Sequence, residues 1–205
     1  MLNMCHIAEE LGKHYGIDAR VVGFDTGIGM PPALDYRDHP EKYMEGDYVP
    51  VDPDQLNKVL PPNCALFIGD IAETLPQFLE SLDGDEQIGF ISIDVDYYSS
   101  AKKSLAIANA STKHCLPRIP VYLDDVSYLD HNVFCGELLA VKEFNEENEI
   151  TKISKMNRIR QWRIFKHAIW LDSMYWIFKF DHPYYSAEYH SDRGGIHLSN
   201  PYLEI

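Results

Sequence analysis

The chain has 205 residues, 45% of them hydrophobic, which is enough for one globular domain with a buried core. Its formal charge of −14 at pH 7 argues against a nucleic-acid-binding surface, which needs clustered Lys and Arg. No stretch approaches the roughly 20 apolar residues of a membrane span, and the acidic N-terminal segment does not suit a signal peptide, so the sequence predicts a cytoplasmic protein that binds neither nucleic acid nor membrane.

Helices and strands alternate along the chain. Residues 1–16 form an amphipathic pattern that ends at Gly16, and residues 19–25 read as a short buried strand. The long segment 26–63, rich in Pro, Gly, Tyr and Asp, is typical of a lid or binding loop, with only "DPDQLNKVL" helical. The remaining predicted elements are strand 65–70, helix 73–82, strand 89–93, helix 99–110 capped by Ser99 or Ser100, strand 119–125, helix 135–148, and strands 149–156 and 174–182.

Two compositional features complete the pass along the chain. The four cysteines lie far apart without a CxxC pair, which favours free thiols in a reducing compartment. The basic residues gather between Lys152 and Lys166, where apolar side chains interleave them. We interpret that stretch as an amphipathic segment rather than an RNA-binding patch.

All four candidate core strands end in aspartate. Single helices between strands imply right-handed crossovers and a mostly parallel sheet, whose carboxyl ends share one rim and bind ligands there. A carboxylate such as Asp25 could accept hydrogen bonds from a ribose, whereas Asp96, Asp124 and Asp125 could bind a hard divalent cation. Aspartates that only start turns and cap helices are the structural alternative.

These stretches resemble the class I S-adenosylmethionine-dependent methyltransferases, and within them the macrocin O-methyltransferase-like family of metal-dependent sugar O-methyltransferases. The resemblance covers about residues 1–150 and rests on "VVGFDTGIGMP", "LFIGDIAETLPQFL", "FISIDVDYYSS", "VYLDDV" and "CGELLAVKEFN". It implies a Rossmann-like α/β fold over residues 1–205, with a lid at 26–63, an antiparallel strand pair at 150–182 and a tail at 183–205.

The resemblance also implies roles for individual residues. Asp25 would bind the ribose hydroxyls of S-adenosylmethionine, Asp94 would lie near its methionine portion, and the adenine would lie along Asp70, Ile71 and Ala72. Mg²⁺ would be held by Asp96, Asp124 and Asp125, since the interval between Asp96 and the pair is similar to the metal triad of this family and of catechol O-methyltransferase. The implied reaction is methyl transfer to a hydroxyl of a small-molecule acceptor, a sugar or a phenol-like compound.

Two features depart from the family pattern. The Gly-rich loop after the family's first strand is not found, because Met1 begins the helix that follows that loop. We therefore expect "VVGF" and "FISI" to flank an unfilled place in the sheet, and the chain to be marginally stable and to bind S-adenosylmethionine poorly. It would close the gap by pairing these strands, by homodimerising through them or by recruiting upstream residues.

The second departure concerns the general base. Tyr97, Tyr98 and Ser99 stand where catechol O-methyltransferase-like enzymes place a Lys. Asp96 or His131 could take the proton instead, although a histidine in that loop is also a common surface residue.

Two other functions fit parts of the sequence. Asp94-Val95-Asp96 resembles the DxD motif of metal-dependent glycosyltransferases, but that motif is short and does not account for Asp25 or for the second acidic pair. A truncated, non-catalytic methyltransferase-like binding domain would account for the missing loop.

Overall fold

The structure, a computed structural model, describes residues 1–49, 58–191 and 194. Within these residues, four α-helices and six β-strands follow in the order expected from the sequence. The helices are α1 (Leu2–Tyr15), α2 (Ile71–Glu80), α3 (Tyr98–Ser104) and α4 (Gly136–Glu147). The strands are β1 (Val21–Asp25), β2 (Cys64–Ile68), β3 (Ile91–Ile93), β4 (Arg118–Leu123), β5 (Thr151–Lys155) and β6 (Met174–Lys179).

The strands form two sheets. Strands β1 and β2 pair in parallel, with Asp25 opposite Ile68. The second sheet has the order β3-β4-β6-β5, in which β3 and β4 are parallel and β6 is antiparallel to both of its neighbours. The predicted Rossmann-like α/β fold with a C-terminal antiparallel strand pair is therefore confirmed.

A common core joins the two sheets. Apolar side chains of α2, α3 and α4 pack against β3 and β4, and the half-buried Phe24 and Phe67 of the first sheet pack against the same cluster. Lys103 of α3 reaches Asp70, the residue that caps α2, with a distance of 2.6 Å from Nζ to Oδ2. The carboxyl ends of β2 and β3 therefore lie on the same side of the molecule.

The facing edges of β1 and β3 are unpaired in the described part of the chain. The Val21 N–H donates to the Asn63 carbonyl, so by alternation Val22 and Phe24 direct their backbone groups to the other edge. On β3 the Ile93 carbonyl accepts from Asp124, which leaves the backbone groups of Ser92 for the open edge. The two strands do not pair with each other directly, which was one of the three expected ways of closing the gap.

Local signals explain most helix ends, with one correction. Helix α1 ends where Gly16 adopts a left-handed φ of 66°, as predicted. The helix predicted over 99–110 is α-helical only to Ser104 and continues as a 3₁₀ helix to Asn109. Its cap is not Ser99 or Ser100, because Tyr97 precedes the helix and Asp38 accepts the Ser99 N–H at 2.8 Å. The predicted "DPDQLNKVL" helix falls largely outside the described residues.

The expectation of free thiols is wrong for one pair of cysteines. Cys5 of α1 and Cys64 of β2 form a disulfide, with their Cα atoms 6.4 Å apart, whereas Cys115 and Cys135 are free. Fifty-nine positions separate the bonded pair, and sequence spacing alone does not show which distant cysteines a fold brings together. The bond ties α1 to the smaller sheet.

None of the helices in the described part of the chain has the length and apolar character of a membrane span.

Candidate active site

Three carboxylates meet beyond the carboxyl ends of β3 and β4. Oxygens of Asp94, Asp124 and Asp125 all lie within 4.8 Å of one another. Asp94 is exposed, Asp124 is half-buried and Asp125 is buried. A hard divalent cation prefers oxygen ligands in this arrangement. Among the described residues, Asp96 does not complete a set of this kind, so the converging carboxylate after β3 is Asp94 rather than the predicted Asp96.

A tight turn explains why Asp96 differs from Asp94. Asp96 has a left-handed φ of 55°, and the Tyr97 N–H donates back to the Val95 carbonyl at 2.5 Å. Few residues other than glycine adopt this conformation, although Asp and Asn tolerate it better than most. Burial, and after it the charge of the nearby Asp124, raises the pKa of Asp96, and the Tyr43 side chain reaches the Asp96 carboxylate from the predicted lid. Asp96 is therefore at the site but outside the converging set.

The electrostatics of the site favour neutralisation of its carboxylates. Burial, followed by repulsion from Asp96, Asp124 and Asp94, raises the pKa of Asp125 to about 7. Burial also raises the pKa values of Asp94 and Asp96. Because the cluster carries several negative groups in a partly buried place, a proton or a cation stabilises it.

Glu137 holds the backbone that carries Asp125, a role that was not predicted from the sequence. Its side chain is buried, and its Oε2 accepts the Asp125 backbone N–H at 3.2 Å. Burial, with the nearby Asp125 charge, raises the pKa of Glu137 well above its ordinary value. The signal in the sequence was a glutamate in the first turn of a helix whose neighbouring positions are apolar.

The segment predicted as a lid packs onto this site at two buried residues. Besides the Ser99 N–H, Asp38 accepts the Ser99 hydroxyl at 3.0 Å, which ties the segment to the start of α3. His39 Nδ1 lies 2.9 Å from Glu41 Oε1, and its ring covers Gly136. Gly136 has a φ of 58°, and a Cβ there would lie 3.1 Å from His39 Nε2, so the close approach favours glycine.

His131, the second predicted catalytic residue, lies at the border of the site. Its ring centroid is 6.0 Å from that of His39, and its Nδ1 is buried without a hydrogen-bond partner among the described residues. Burial, followed by the charge of Lys42, lowers the pKa of His131. A neutral imidazole near a carboxylate cluster is able to accept a proton.

No protein-family model matches this sequence, and no curated protein matches it. Solved structures do match it, among them two methyltransferases. The crystal structure of CalS11, a calicheamicin methyltransferase, matches with a TM-score of 0.55 at 19% identity, over 85% of this chain and 66% of that one. The O-methyltransferase NovP matches with a TM-score of 0.52 at 17% identity, over 84% of this chain and 65% of that one. The chain has the fold of these methyltransferases. It spans about two thirds of their length.

The methyltransferase fold confirms, at the level of architecture, the resemblance drawn from the sequence. Four of the five residues predicted to bind the cofactor lie along the smaller sheet, whereas the fifth, Asp94, follows β3 of the four-stranded sheet. Asp25 is exposed at the end of β1, where it accepts the Gly27 N–H at 2.7 Å. Asp70 accepts the Ala72 N–H at 2.8 Å as the cap of α2, and Ile71 begins that helix. Asp70 thus has a structural role, and the cofactor contacts of all five residues, Asp94 included, stay predictions.

Proposed function

We propose that this chain supports transfer of a methyl group from S-adenosylmethionine to a hydroxyl of a small molecule, assisted by Mg²⁺. The observation that carries the proposal is the convergence of Asp94, Asp124 and Asp125 at the strand ends of a methyltransferase fold. Ligands bind at this edge in open α/β sheets. A sugar or phenol-like acceptor and a cytoplasmic location remain predictions, and the Cys5–Cys64 disulfide is more typical of oxidising compartments.

The donor set fits Mg²⁺. All three groups supply carboxylate oxygens, and Oδ2 of Asp125 is buried without a hydrogen-bond partner among the described residues. A buried, unpartnered carboxylate oxygen is costly unless a cation or proton neutralises it. Bound there, Mg²⁺ would supply Lewis acidity that lowers the pKa of an acceptor hydroxyl.

The chain's own residues would position the acceptor and accept its proton. Asp96 lies beside the three converging carboxylates without belonging to them, and it contacts Tyr43 and Asp125. We assign it as the base, with His131 as the second candidate. Glu137 fixes the turn that carries Asp125, and Asp25 would accept the ribose hydroxyls of the cofactor. If Asp96 is the base, Asp96→Asn should abolish proton transfer and leave metal binding intact, and His131→Gln should retain proton transfer. Loss of proton transfer in His131→Gln alone would assign the base to His131.

Calorimetric titration tests the proposal. We expect weak but measurable binding of S-adenosylhomocysteine, and Asp25→Ala should weaken that binding by roughly 1–3 kcal/mol, the scale of hydrogen bonds to a charged acceptor. Asp85→Asn is the matched control, because this exposed aspartate precedes β3 and so lies at the amino end of that strand, away from the candidate site. Unchanged affinity in Asp25→Ala would remove Asp25 from the site.

The open edge between β1 and β3 favours a second candidate, a non-catalytic binding domain of methyltransferase fold. The same titration separates the two. Binding of neither S-adenosylhomocysteine nor Mg²⁺ to the folded chain would support the non-catalytic domain. Mg²⁺-dependent binding of a UDP-sugar would instead support a glycosyltransferase, for which Asp94 and Asp96 would have to share one metal.

A further inference from the structure

The loop that joins β5 to β6 presents an unusual surface. We define the basic loop as residues 157–170. Seven consecutive residues in it, 161–167, are exposed, and its regular structure is limited to short 3₁₀ turns. The tip of the loop, residues 161–167, is therefore an exposed segment with little regular structure.

Large apolar side chains of the basic loop point into solvent. The exposed fraction is 92% for Ile164, 81% for Trp162, 76% for Phe165 and 68% for Ile169. Single exposed apolar residues are common on protein surfaces, but a group of this size at one tip indicates a surface that is covered in use.

Positive charge surrounds these apolar side chains. Residues 151–171 contain six of the 18 Lys and Arg residues of the chain and no Asp or Glu. Arg160 is engaged at the base of the loop, where it pairs with Asp172 and donates to the Lys166 carbonyl. Arg158, Arg163 and the Lys166 ammonium form no ion pair with any residue in the described ranges. The tip therefore carries unneutralised cations beside exposed rings and aliphatic chains.

The basic loop and the candidate active site lie at the same end of the four-stranded sheet. Strand β6 is antiparallel to both β4 and β5, so β5 runs in the same direction as β4. The carboxyl end of β5, where the loop begins, is therefore on the same side as the carboxyl ends of β3 and β4, which carry Asp94, Asp124 and Asp125.

We propose that the basic loop docks on the surface of an anionic lipid bilayer. Trp, Phe and Ile side chains partition into the headgroup and acyl boundary, while neighbouring Arg and Lys pair with lipid phosphates and carboxylates. Aliphatic side chains such as Ile164 and Ile169 do not stack on bases, which disfavours single-stranded RNA as the occupant. This docking replaces the sequence-based expectation that the protein avoids membranes.

The charge distribution gives the docked protein one orientation. The rest of the chain, outside residues 151–171, contains all 32 Asp and Glu residues and only 12 of the Lys and Arg residues. An anionic bilayer therefore repels most of the surface. Charges farther than about 8 Å from the bilayer are largely screened at physiological salt, whereas the loop cations would touch the headgroups. The edge with the candidate active site would then face the membrane.

Cosedimentation with vesicles tests this docking on the whole chain. We expect at least about tenfold stronger binding to phosphatidylcholine vesicles that contain phosphatidylserine than to phosphatidylcholine alone, since each cation near the surface adds to the attraction. Trp162→Ser/Phe165→Ser and Arg163→Glu/Lys166→Glu should each reduce binding at least tenfold. The controls Ile17→Ser and Lys113→Glu change an exposed apolar residue and an exposed cation outside the loop, and they should bind like wild type.

Three results would overturn the docking. They are absence of vesicle binding, equal loss in the control variants, and vesicle binding that persists in both loop variants. A loop-dependent complex with a single-stranded oligonucleotide, or loop-dependent self-association without vesicle binding, would assign the surface to another occupant. The outcome is independent of methyl transfer, because none of the substituted residues belongs to the carboxylate cluster.

Discussion

At the scale of single residues, the acidic rim was predictable and its geometry was not. Aspartates at the ends of apolar runs indicated a shared edge of carboxylates. Which aspartate after β3 joins the set depends on the backbone turn at Asp96, whose left-handed φ is not encoded by spacing. The role of Glu137 could not be predicted, because the sequence does not distinguish a buried helical glutamate from an exposed one. Its partner, the Asp125 N–H, is known only from the structure.

The raised pKa of Asp125 predicts how stability of the metal-free protein depends on pH. The pKa of Asp125 is about 7 in the folded state and near 3.8 in the unfolded state. Its protonation therefore contributes fully to the free energy of unfolding below about pH 4, and that contribution is lost as the pH rises through 7. The free energy of unfolding should fall by about 4 kcal/mol over that range from this group, at about 1.36 kcal/mol per pKa unit.

Urea denaturation from pH 4 to 8 measures this loss, with Asp125→Asn as the control that removes it. Mg²⁺ should stabilise the wild type more at pH 7.5 than at pH 5, because metal ligands must be deprotonated. A wild type and an Asp125→Asn variant with the same pH dependence would contradict the assigned pKa.

Glu137 should be replaceable by an isosteric neutral group but not by a short one. Glu137→Gln retains an oxygen for the Asp125 N–H and should change the free energy of unfolding by less than about 1 kcal/mol. Glu137→Ala should cost about 2–4 kcal/mol, because it leaves a cavity and an unpaired N–H. Thermal and urea unfolding compare the two variants, and equal losses would show that the hydrogen bond does not matter.

At the scale of elements, hydrophobic runs and cap residues located the helices and strands of the described residues, with ends displaced by a few residues. The antiparallel pairing of β5 with β6 followed from the resemblance to the family. The start of α3 could not be predicted, because its Ser99 N–H is capped by Asp38, which lies 61 positions away. The Cys5–Cys64 bond is likewise a tertiary contact between α1 and β2.

The disulfide predicts a redox-dependent stability. Closing a loop of 59 positions stabilises the folded state by up to about 4 kcal/mol through the unfolded chain. Reduction, or the Cys5→Ser/Cys64→Ser double variant, should lower the free energy of unfolding toward that amount, and Cys135→Ser should have little effect. Thiol titration of the denatured, unreduced chain should find two thiols, and four would show that the bond is absent.

The open edge between β1 and β3 predicts a pattern of hydrogen exchange. Amides of Val22, Phe24 and Ser92 face this edge, whereas Gly23 and Ile93 lie at alternate positions that face paired strands. The first three should exchange faster than the last two, because exchange requires an open backbone group. Measured by NMR, uniform protection of all five amides would mean that another segment pairs in the gap.

At the scale of the whole molecule, an acidic and a basic surface lie at the same end of the four-stranded sheet. The carboxylate cluster and the basic loop both follow the carboxyl ends of strands in the four-stranded sheet. Strand direction therefore puts the carboxylate cluster and the basic loop on the same side of this sheet, although the loop begins 32 positions after Asp125 in sequence. The sequence identified both features but only the order β3-β4-β6-β5 places them together.

Binding of Mn²⁺, followed by electron paramagnetic resonance, tests the central claim most directly. We expect one ion to bind per chain and Mg²⁺ to displace it. Asp94→Asn and Asp124→Asn should each weaken binding at least about tenfold, the scale on which metal sites respond to altered partners, whereas Asp96→Asn and Asp85→Asn should retain it. Absence of a bound ion in the folded protein, or loss of the ion in Asp96→Asn with retention in Asp94→Asn, would contradict the account.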